Sequence, residues 1–330
     1  MRVLVYGGGA VGLGIASCLL KSGCQVDVIA RDNTVSRLRR HGLTRTGIFG
    51  DYHADPTTFD AYSSLNEIQT RLYNYVLVCT KSFDSLEAAK DLSTHKSLFG
   101  EKTKILLFQN GWGNAEAFLS FFSTETIYNA RVITGFERRN KNEVRITVHA
   151  DSIHIGSLFG SSTSHVADLS DAIAKGNIPC ETTKEIEKDL WAKMLYNCAL
   201  NPLGAILDVP YGALAEDEFT RTIMDGIVQE VFKVMAAARY KTHWQSPEDF
   251  LEVFYNKLVP DTAEHKSSTL QDIAAKKKTE IEALNGAVIK LARKHTIDVP
   301  HNLVVYSMVK FIEIRLFCKE VGVHTRLVVK

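Results

Sequence analysis

The stretch RVLVYGGGAVGLGIASCLLKSG, residues 2–23, constrains this chain more than any other. A short run rich in β-branched residues meets three consecutive glycines, and a long apolar-periodic segment follows and closes near Gly23. Gly7, Gly9 and Gly12, with Gly8, Ala10 and Val11 between them, form a GxGxxG pattern. In that pattern the first glycine permits a tight turn. The second lets the backbone approach a pyrophosphate, and the third lets helix and strand pack closely. The N-terminus of the helix then faces the phosphate charge. Glycine spacing alone recurs by chance. The strand before it and the helix after it carry the reading of a dinucleotide-binding turn.

The remainder of the first half repeats the theme. QVDVIA (25–30), YVLVCT (75–80) and KILLFQN (104–110) are buried-strand runs separated by helical stretches. Such alternation predicts a parallel sheet built from βαβ units. EVRITVHADSIHIGS (143–157) alternates like an antiparallel hairpin at the sheet edge, with its turn near Ala150 and Asp151. Beyond about residue 182 strand-like runs stop. Helical patterns cover 183–201, 215–240, 247–257 and 262–295, punctuated by Pro210, Pro247, Pro260 and Pro300. The 330 residues therefore divide into an α/β dinucleotide domain over 1–182 and an all-helical domain over 183–330.

Composition excludes several classes. A formal net charge of +1 gives no reason to expect a nucleic acid or an anionic membrane as partner. No run approaches the ~18 apolar residues of a membrane span. The N-terminus leads at once into strand and turn instead of a signal peptide. Six cysteines without a CxxC pair, several of them in apolar runs, suggest buried free thiols in a reducing compartment, so a cytoplasmic protein is expected. His149 and His154 lack the spacing of a metal motif, and no metal site is expected from the eleven histidines.

Two features suggest chemistry. The second strand ends in Ala30–Arg31, where an acid would select NAD and a guanidinium suits the 2′-phosphate of NADP(H). Asp32 follows directly, and a solvated arginine is the other reading. In KDLWAKMLYNCALNP (188–202), Lys193, Asn197 and Asn201 stand at i, i+4 and i+8 on an otherwise apolar helix expected to stop at Pro202. A cleft between the domains would receive that stripe. Hydride reduction of a ketone leaves an alkoxide that must be protonated, and a lysine, reference pKa ~10.4, is acidic enough to do it. The amides can bind a carboxylate or carbonyl without adding charge. A surface lysine with two capping amides is the alternative. Ser268, Asp272, Lys276 and Glu280 recur every four residues on what reads as one helix, and periodicity alone favours a solvated charged face there.

These stretches together resemble the ketopantoate reductase (2-dehydropantoate 2-reductase) family. The likeness runs through GGGAVG, IAR, CTKSFD, FQNGWGNAE, WAKMLYNCALNPLGAI, SSTLQDIAAKKKTEIEALNG and DVPHN. It implies a Rossmann-type N-terminal domain, a helical domain like the C-terminal one of 6-phosphogluconate dehydrogenase, and NADPH reducing ketopantoate to pantoate for pantothenate and coenzyme A. By the same resemblance Lys193 is the general acid and Glu280 its catalytic partner at the substrate. Asn197, Asn201 and Ser268 bind substrate, and Asn110 lies between nicotinamide and substrate. Arg31 and Lys81 lie near the 2′-phosphate, and Glu116 is a cofactor-binding acid. Trp112 and the stretch YNARVITGFERRNKN depart from the family pattern and leave the substrate's identity open. The rivals are a reductase of another small 2-oxo acid and a non-catalytic NADP(H)-binding protein. A homodimer stays open beside a monomer.

Overall fold

The structure, a computed structural model, describes residues 1–69 and 71–320, the side chains of 318–320 excepted. The chain divides into two compact units, Met1–Ile186 and Glu187–Lys330.

The first unit runs β1 (Arg2–Tyr6), α1 (Ala10–Lys21), β2 (Gln25–Ile29), α2 (Asp32–His41), β3 (Leu43–Gly47), β4 (Tyr52–Ala54), β5 (Asp60–Tyr62), β6 (Tyr73–Val78), α3 (Ser85–Thr94), β7 (Phe99–Leu107), α4 (Asn114–Leu119), β8 (Ile127–Arg131), β9 (Thr134–Asn140), β10 (Glu143–His149), β11 (Ile153–Gly156), α5 (Ala167–Lys175) and β12 (Cys180–Thr182). Eight strands form one sheet in the order β12-β11-β8-β7-β6-β1-β2-β5. From β5 to β8 every neighbouring pair is parallel. The central strands carry apolar residues on both faces, because both faces are covered, and Asp27 inside β2 is a buried exception, bonded by the Tyr73 hydroxyl and Arg71. Val3 and Val5 join a cluster with Leu13 and Ile15 of α1, while Leu4 joins Ala88 and Leu92 of α3 and Phe118 of α4.

The helix after the glycine turn ends as its sequence indicates. Gly23 takes a φ of +84°. Its N–H bonds the Leu20 carbonyl at 3.0 Å and the Cys24 N–H bonds the Leu19 carbonyl at 2.9 Å, the paired bonds of a Schellman motif.

The hairpin expected over 143–157 does not form. β10 pairs antiparallel with β9 and parallel with β3, in a separate four-stranded sheet ordered β4-β3-β10-β9. β11 pairs antiparallel with β8 in the main sheet. Ala150 and Asp151 lie where the chain passes from one sheet to the other. Alternation with period two states which face a residue takes; it does not name the partner strand.

Among the described residues no strand follows β12. The helices are α6 (Ile186–Leu207), α7 (Tyr211–Glu216), α8 (Glu218–Ala237), α9 (Pro247–Val253) with a π turn after it (Phe254–Leu258), α10 (Ser268–Ala274), α11 (Asn285–Lys294) and α12 (Pro300–Glu320). None of the described helices is long and apolar enough to cross a membrane.

Three features of this unit differ from expectation. First, α6 does not stop at Pro202 but runs five residues further, to Leu207. Proline has no N–H for the carbonyl four residues back, Cys198. That carbonyl instead accepts from Asn285 Nδ2 at 3.1 Å, so the helix continues without leaving it unpaired. Second, the single helix expected over 262–295 is two helices, α10 and α11. Lys276 takes a φ of +52°, with Lys276 N–H on the Ile273 carbonyl at 2.9 Å and Lys277 N–H on the Asp272 carbonyl at 2.8 Å. This is again a Schellman termination, made by a lysine where glycine is usual. Glu280 therefore does not share a helix with Ser268, Asp272 and Lys276. Third, α12 was not among the expected helices. Pro300 sits at its start, where a missing N–H costs nothing. The carboxylate of Glu230, on α8, accepts the His301 and Asn302 N–H groups at 2.8 and 2.9 Å and so caps it.

Five cysteines, Cys18, Cys24, Cys79, Cys180 and Cys198, are free thiols. The side chain of the sixth, Cys318, lies outside the described ones. Among the described residues no cluster of His, Cys, Asp and Glu could hold a metal ion.

Candidate active site

The glycine turn joins β1 to α1 and presses on the end of β6. Gly7 has a φ of +120°, and a Cβ there would stand 2.7 Å from Thr80 N and 2.8 Å from the Cys79 carbonyl carbon. A Cβ at Gly12 would overlap the Gly7 carbonyl oxygen, and one at Gly8 would overlap the Ala30 Cβ. The Gly7 and Gly8 N–H groups both donate to the Ile29 carbonyl, at 3.0 and 2.9 Å, which ties the turn to the end of β2. Gly9 differs from the others. The only atom near its missing Cβ is the Cys79 carbonyl oxygen at 3.9 Å. Gly9 is the N-cap of α1, and no side chain caps that helix end. The first-turn N–H groups around Ala10 and Val11 thus face open space over a positive helix terminus. The residues present fit a pyrophosphate.

The other cofactor candidates lie in the same unit. Arg31 is exposed at the N-cap of α2. Lys81 is half-buried at the end of β6, Asn110 is half-buried after β7, and Glu116 is exposed in the first turn of α4. The loop that carries Asn110 is held by a network that sequence reasoning did not single out. Gln109 Nε2 donates to Thr80 Oγ1 at 3.2 Å, to the Lys81 carbonyl at 3.2 Å and to Ser85 Oγ at 2.9 Å. Ser85 Oγ donates to Asn114 Oδ1 at 2.9 Å, and Asn114 Nδ2 returns to the Asn110 carbonyl at 2.9 Å. Gly111 and Gly113 adopt φ of +86° and +97°, which lets the chain turn tightly around Trp112, itself buried at 8% exposure. The amides of QNGWGNAE were the available signal, since Asn110 and Asn114 each lie next to a glycine in a short loop.

In the second unit the α6 stripe stands as its spacing predicts, one face of one helix. Lys193 is half-buried, whereas Asn197 and Asn201 are only 9% and 3% exposed. Neither amide's N–H donors bond another described residue. The Asn197 side chain makes no hydrogen bond among the described residues, and Asn201 makes one. Tyr211 OH donates to Asn201 Oδ1 at 2.6 Å, which turns the Asn201 Nδ2 away from the tyrosine. Burial pushes the Tyr211 hydroxyl well above the ordinary tyrosine pKa, so it remains a donor at every working pH. Ser267 Oγ donates to the Asn201 carbonyl at 3.1 Å and accepts the Leu270 N–H at 3.0 Å. It caps α10 and brings Ser268, the first residue of that helix, beside the Asn201 end of α6. Tyr211 and Ser267 were not anticipated. Tyrosine in a PYG turn and the first of two serines carry no distinguishing sequence signal.

Glu280 is buried at 6% exposure in the turn between α10 and α11. Ties on both sides hold that turn. Before it, the Thr279 N–H and hydroxyl both donate to Glu313 Oε1 of α12 at 2.7 Å. After it, Asn285 binds the Cys198 carbonyl of α6. Glu280 thus reaches its place through tertiary contacts, with no helical register to Ser268.

A pyrophosphate cradle at the first βα turn of a parallel sheet, with a lysine beside unspent buried amides in a second, helical unit, is the equipment of a nicotinamide-dependent oxidoreductase. Comparison with known proteins narrows that class. Residues 3–160 match the model of the family described as ketopantoate reductase PanE/ApbA, and residues 185–313 match that of its C-terminal part. A 2-dehydropantoate 2-reductase of Aquifex aeolicus is 35% identical over 94% of this chain and 96% of its own length. Among solved structures, a PanE/ApbA family ketopantoate reductase from Ralstonia eutropha superposes with a TM-score of 0.83 at 29% identity, covering 96% of this chain and 100% of the other. A D-mandelate dehydrogenase, solved with NADH and anilino(oxo)acetate, superposes with a TM-score of 0.84 at 21% identity, covers 96% and 100% of the two chains, and shows the shared fold alone. The chain belongs to the ketopantoate reductase PanE/ApbA family.

Proposed function

We propose that this protein reduces ketopantoate to pantoate with NADPH, a cytoplasmic step toward pantothenate and coenzyme A. The observation that carries the reading is the α6 row, in which Asn197 and Asn201 are buried yet keep amide donors that the fold does not use, one and two turns beyond Lys193. Neither Nδ2 is among the side-chain polar atoms sealed from solvent without a partner, so each remains open to a ligand's acceptor. A substrate with a carboxylate and a ketone supplies acceptors that these donors can take in place of water.

The reduced nicotinamide, when bound, supplies the hydride that reaches C2 of the ketone. The residues of this chain do the rest. Asn197 and Asn201 donate to the substrate's carboxylate and carbonyl oxygens and fix its orientation. Lys193 Nζ gives a proton to the C2 oxygen as negative charge develops there, and takes a proton back from solvent. Ser268 and Glu280 hold the substrate's hydroxyl. Gly7–Gly12 cradle the pyrophosphate, Arg31 and Lys81 meet the 2′-phosphate, Glu116 contacts the cofactor, and Asn110 lies between nicotinamide and substrate.

The test is NADPH oxidation against a panel of small 2-oxo acids that includes ketopantoate. The expected result is the highest kcat/KM with ketopantoate, and with NADPH over NADH. A different 2-oxo acid turned over at least tenfold better would overturn the substrate, and no turnover of any 2-oxo acid would overturn the enzymatic reading.

A further inference from the structure

The second sheet brings an unexplained cation to the start of α2. Arg138, on β9, reaches back to Thr34, in the first turn of α2, with Nη2 2.6 Å from Thr34 Oγ1. The same Nη2 donates to the Lys141 carbonyl at 2.8 Å, and Nε donates to the Asn140 carbonyl at 3.2 Å. Nη1 makes no hydrogen bond among the described residues, and no carboxylate there pairs with this guanidinium. Its neighbour Arg139 does have an acid, Glu137, at 2.9 Å. Burial, and after it the positive charge of Arg31, hold the Arg138 guanidinium below the ordinary arginine value. The fold thus keeps two guanidiniums within electrostatic reach of each other, at the positive end of a ten-residue helix, with Asp32 as the adjacent acid in the chain.

Thr34 fixes where this cluster lies. It is 2% exposed, and its Cγ2 stands 3.4 Å from where a Cβ on Gly8 would be. The cluster therefore borders the glycine turn, just past the end of β2. In dinucleotide folds that is where the ribose 2′-position of the adenosine is read.

We infer that Arg138 is a second guanidinium for the adenosine 2′-phosphate, reaching in from the second sheet opposite Arg31, with Thr34 aiming it. Nη2 is held by Thr34 and the Lys141 carbonyl, which leaves Nη1 for a phosphate oxygen. Bound phosphate offsets the repulsion between the two arginines, and each guanidinium suits its tetrahedral oxygens. The inference rests on the NADP(H) reading above and extends it: discrimination between NADPH and NADH is shared between the main sheet and the second one. The same stretch, GFERRNKN, is part of the segment that departs from the family pattern.

The experiment is equilibrium titration of the purified protein with NADPH and NADH, followed by cofactor fluorescence, for the unmodified chain and for Arg138→Ala, Arg138→Lys and Thr34→Val. Loss of one charged hydrogen bond to phosphate should raise the NADPH Kd of Arg138→Ala about tenfold or more, with the NADH Kd within about twofold. Arg138→Lys keeps charge and stem and should fall between, and Thr34→Val should lose part of the preference in the same direction. Competition by 2′-AMP should weaken in Arg138→Ala, and competition by 5′-AMP should not. Equal weakening of NADPH and NADH would overturn the inference and leave Arg138 as a tie between β9 and α2. An unchanged NADPH Kd in a folded Arg138→Ala would also overturn it. An unmodified chain with no preference for NADPH would instead remove the cofactor reading itself, and this inference with it.

Discussion

Asn285 should be indispensable because of Pro202, and the pair can be tested together. Asn285 is fully buried, and its Nδ2 donates to the Cys198 carbonyl at 3.1 Å and to Asn302 Oδ1 at 3.0 Å. Asn285→Ala strips the donor from both acceptors. A buried acceptor left unpaired costs about 1–3 kcal/mol. Asn302 retains its own bond from Nδ2 to Glu230 at 2.8 Å, so its place is secured and its lost acceptor bond falls at the low end. The Cys198 carbonyl has no substitute donor on its own helix, since residue 202 is proline. The sum is about 3 kcal/mol, or a fall of roughly 10 °C in melting temperature for a unit of about 150 residues. Pro202→Ala supplies an N–H four residues after Cys198. In the Asn285→Ala background it should recover about 1–1.5 kcal/mol. In the unmodified chain it should be near neutral, because that carbonyl is already paired. Urea unfolding of the four proteins, followed by fluorescence of the buried Trp191 on α6, gives the cycle. Additivity within about 0.5 kcal/mol would refute the reasoning, because the two residues would then not share an acceptor.

Lys193→Ala should cut kcat on the order of 10² or more at saturating ketopantoate, with NADPH titration unchanged; a near-normal kcat in a folded variant would move the proton donor elsewhere. Tyr211→Phe should raise KM for the 2-oxo acid by about tenfold and leave NADPH binding intact, and combining it with Asn201→Ala should add little, because the hydroxyl acts through that amide. Independent, multiplying effects would separate the two residues. Arg31→Ala should remove most of any preference for NADPH over NADH, read as the ratio of Kd values. Stability should also carry a carboxylate signature. Burial would raise the Glu313 pKa, but hydrogen bonds from Lys310 and Thr279 outweigh it and hold the carboxyl below its ordinary 4.5. A depressed folded-state value contributes stability that is present above that pH and lost as the pH falls through it. Glu313→Gln should therefore be less stable at pH 7 and lose less of its melting temperature than the unmodified chain between pH 5 and 3. Parallel losses would exclude Glu313 from the acid response.

Much of the candidate site could be read from residue order because its parts are local. A GxGxxG between a β-branched run and an apolar helix demands a tight turn, and the structure gives Gly7 a φ of +120° and packs Gly12 against the turn itself. Lys193, Asn197 and Asn201 share a face because four residues make about one helical turn. The parallel sheet followed from largely apolar strand runs alternating with helical stretches, and the end of α1 from a glycine at the position that needs a positive φ.

What the chain's order did not disclose depends on partners distant in sequence. Pro202 signals a helix end by every local rule, and only the buried side chain of Asn285 lets α6 pass through it. Lys276 has the propensity to continue a helix, yet it takes φ +52° and ends α10 there, and the tie of Thr279 to Glu313 on α12 holds the turn that carries Glu280. The two halves of 143–157 alternate identically and still enter different sheets. Local sequence determines a residue's preferred dihedrals and which face it presents. Which buried donor meets which buried acceptor is decided only when the core closes, because an unpaired polar group in that core costs more than a local propensity is worth.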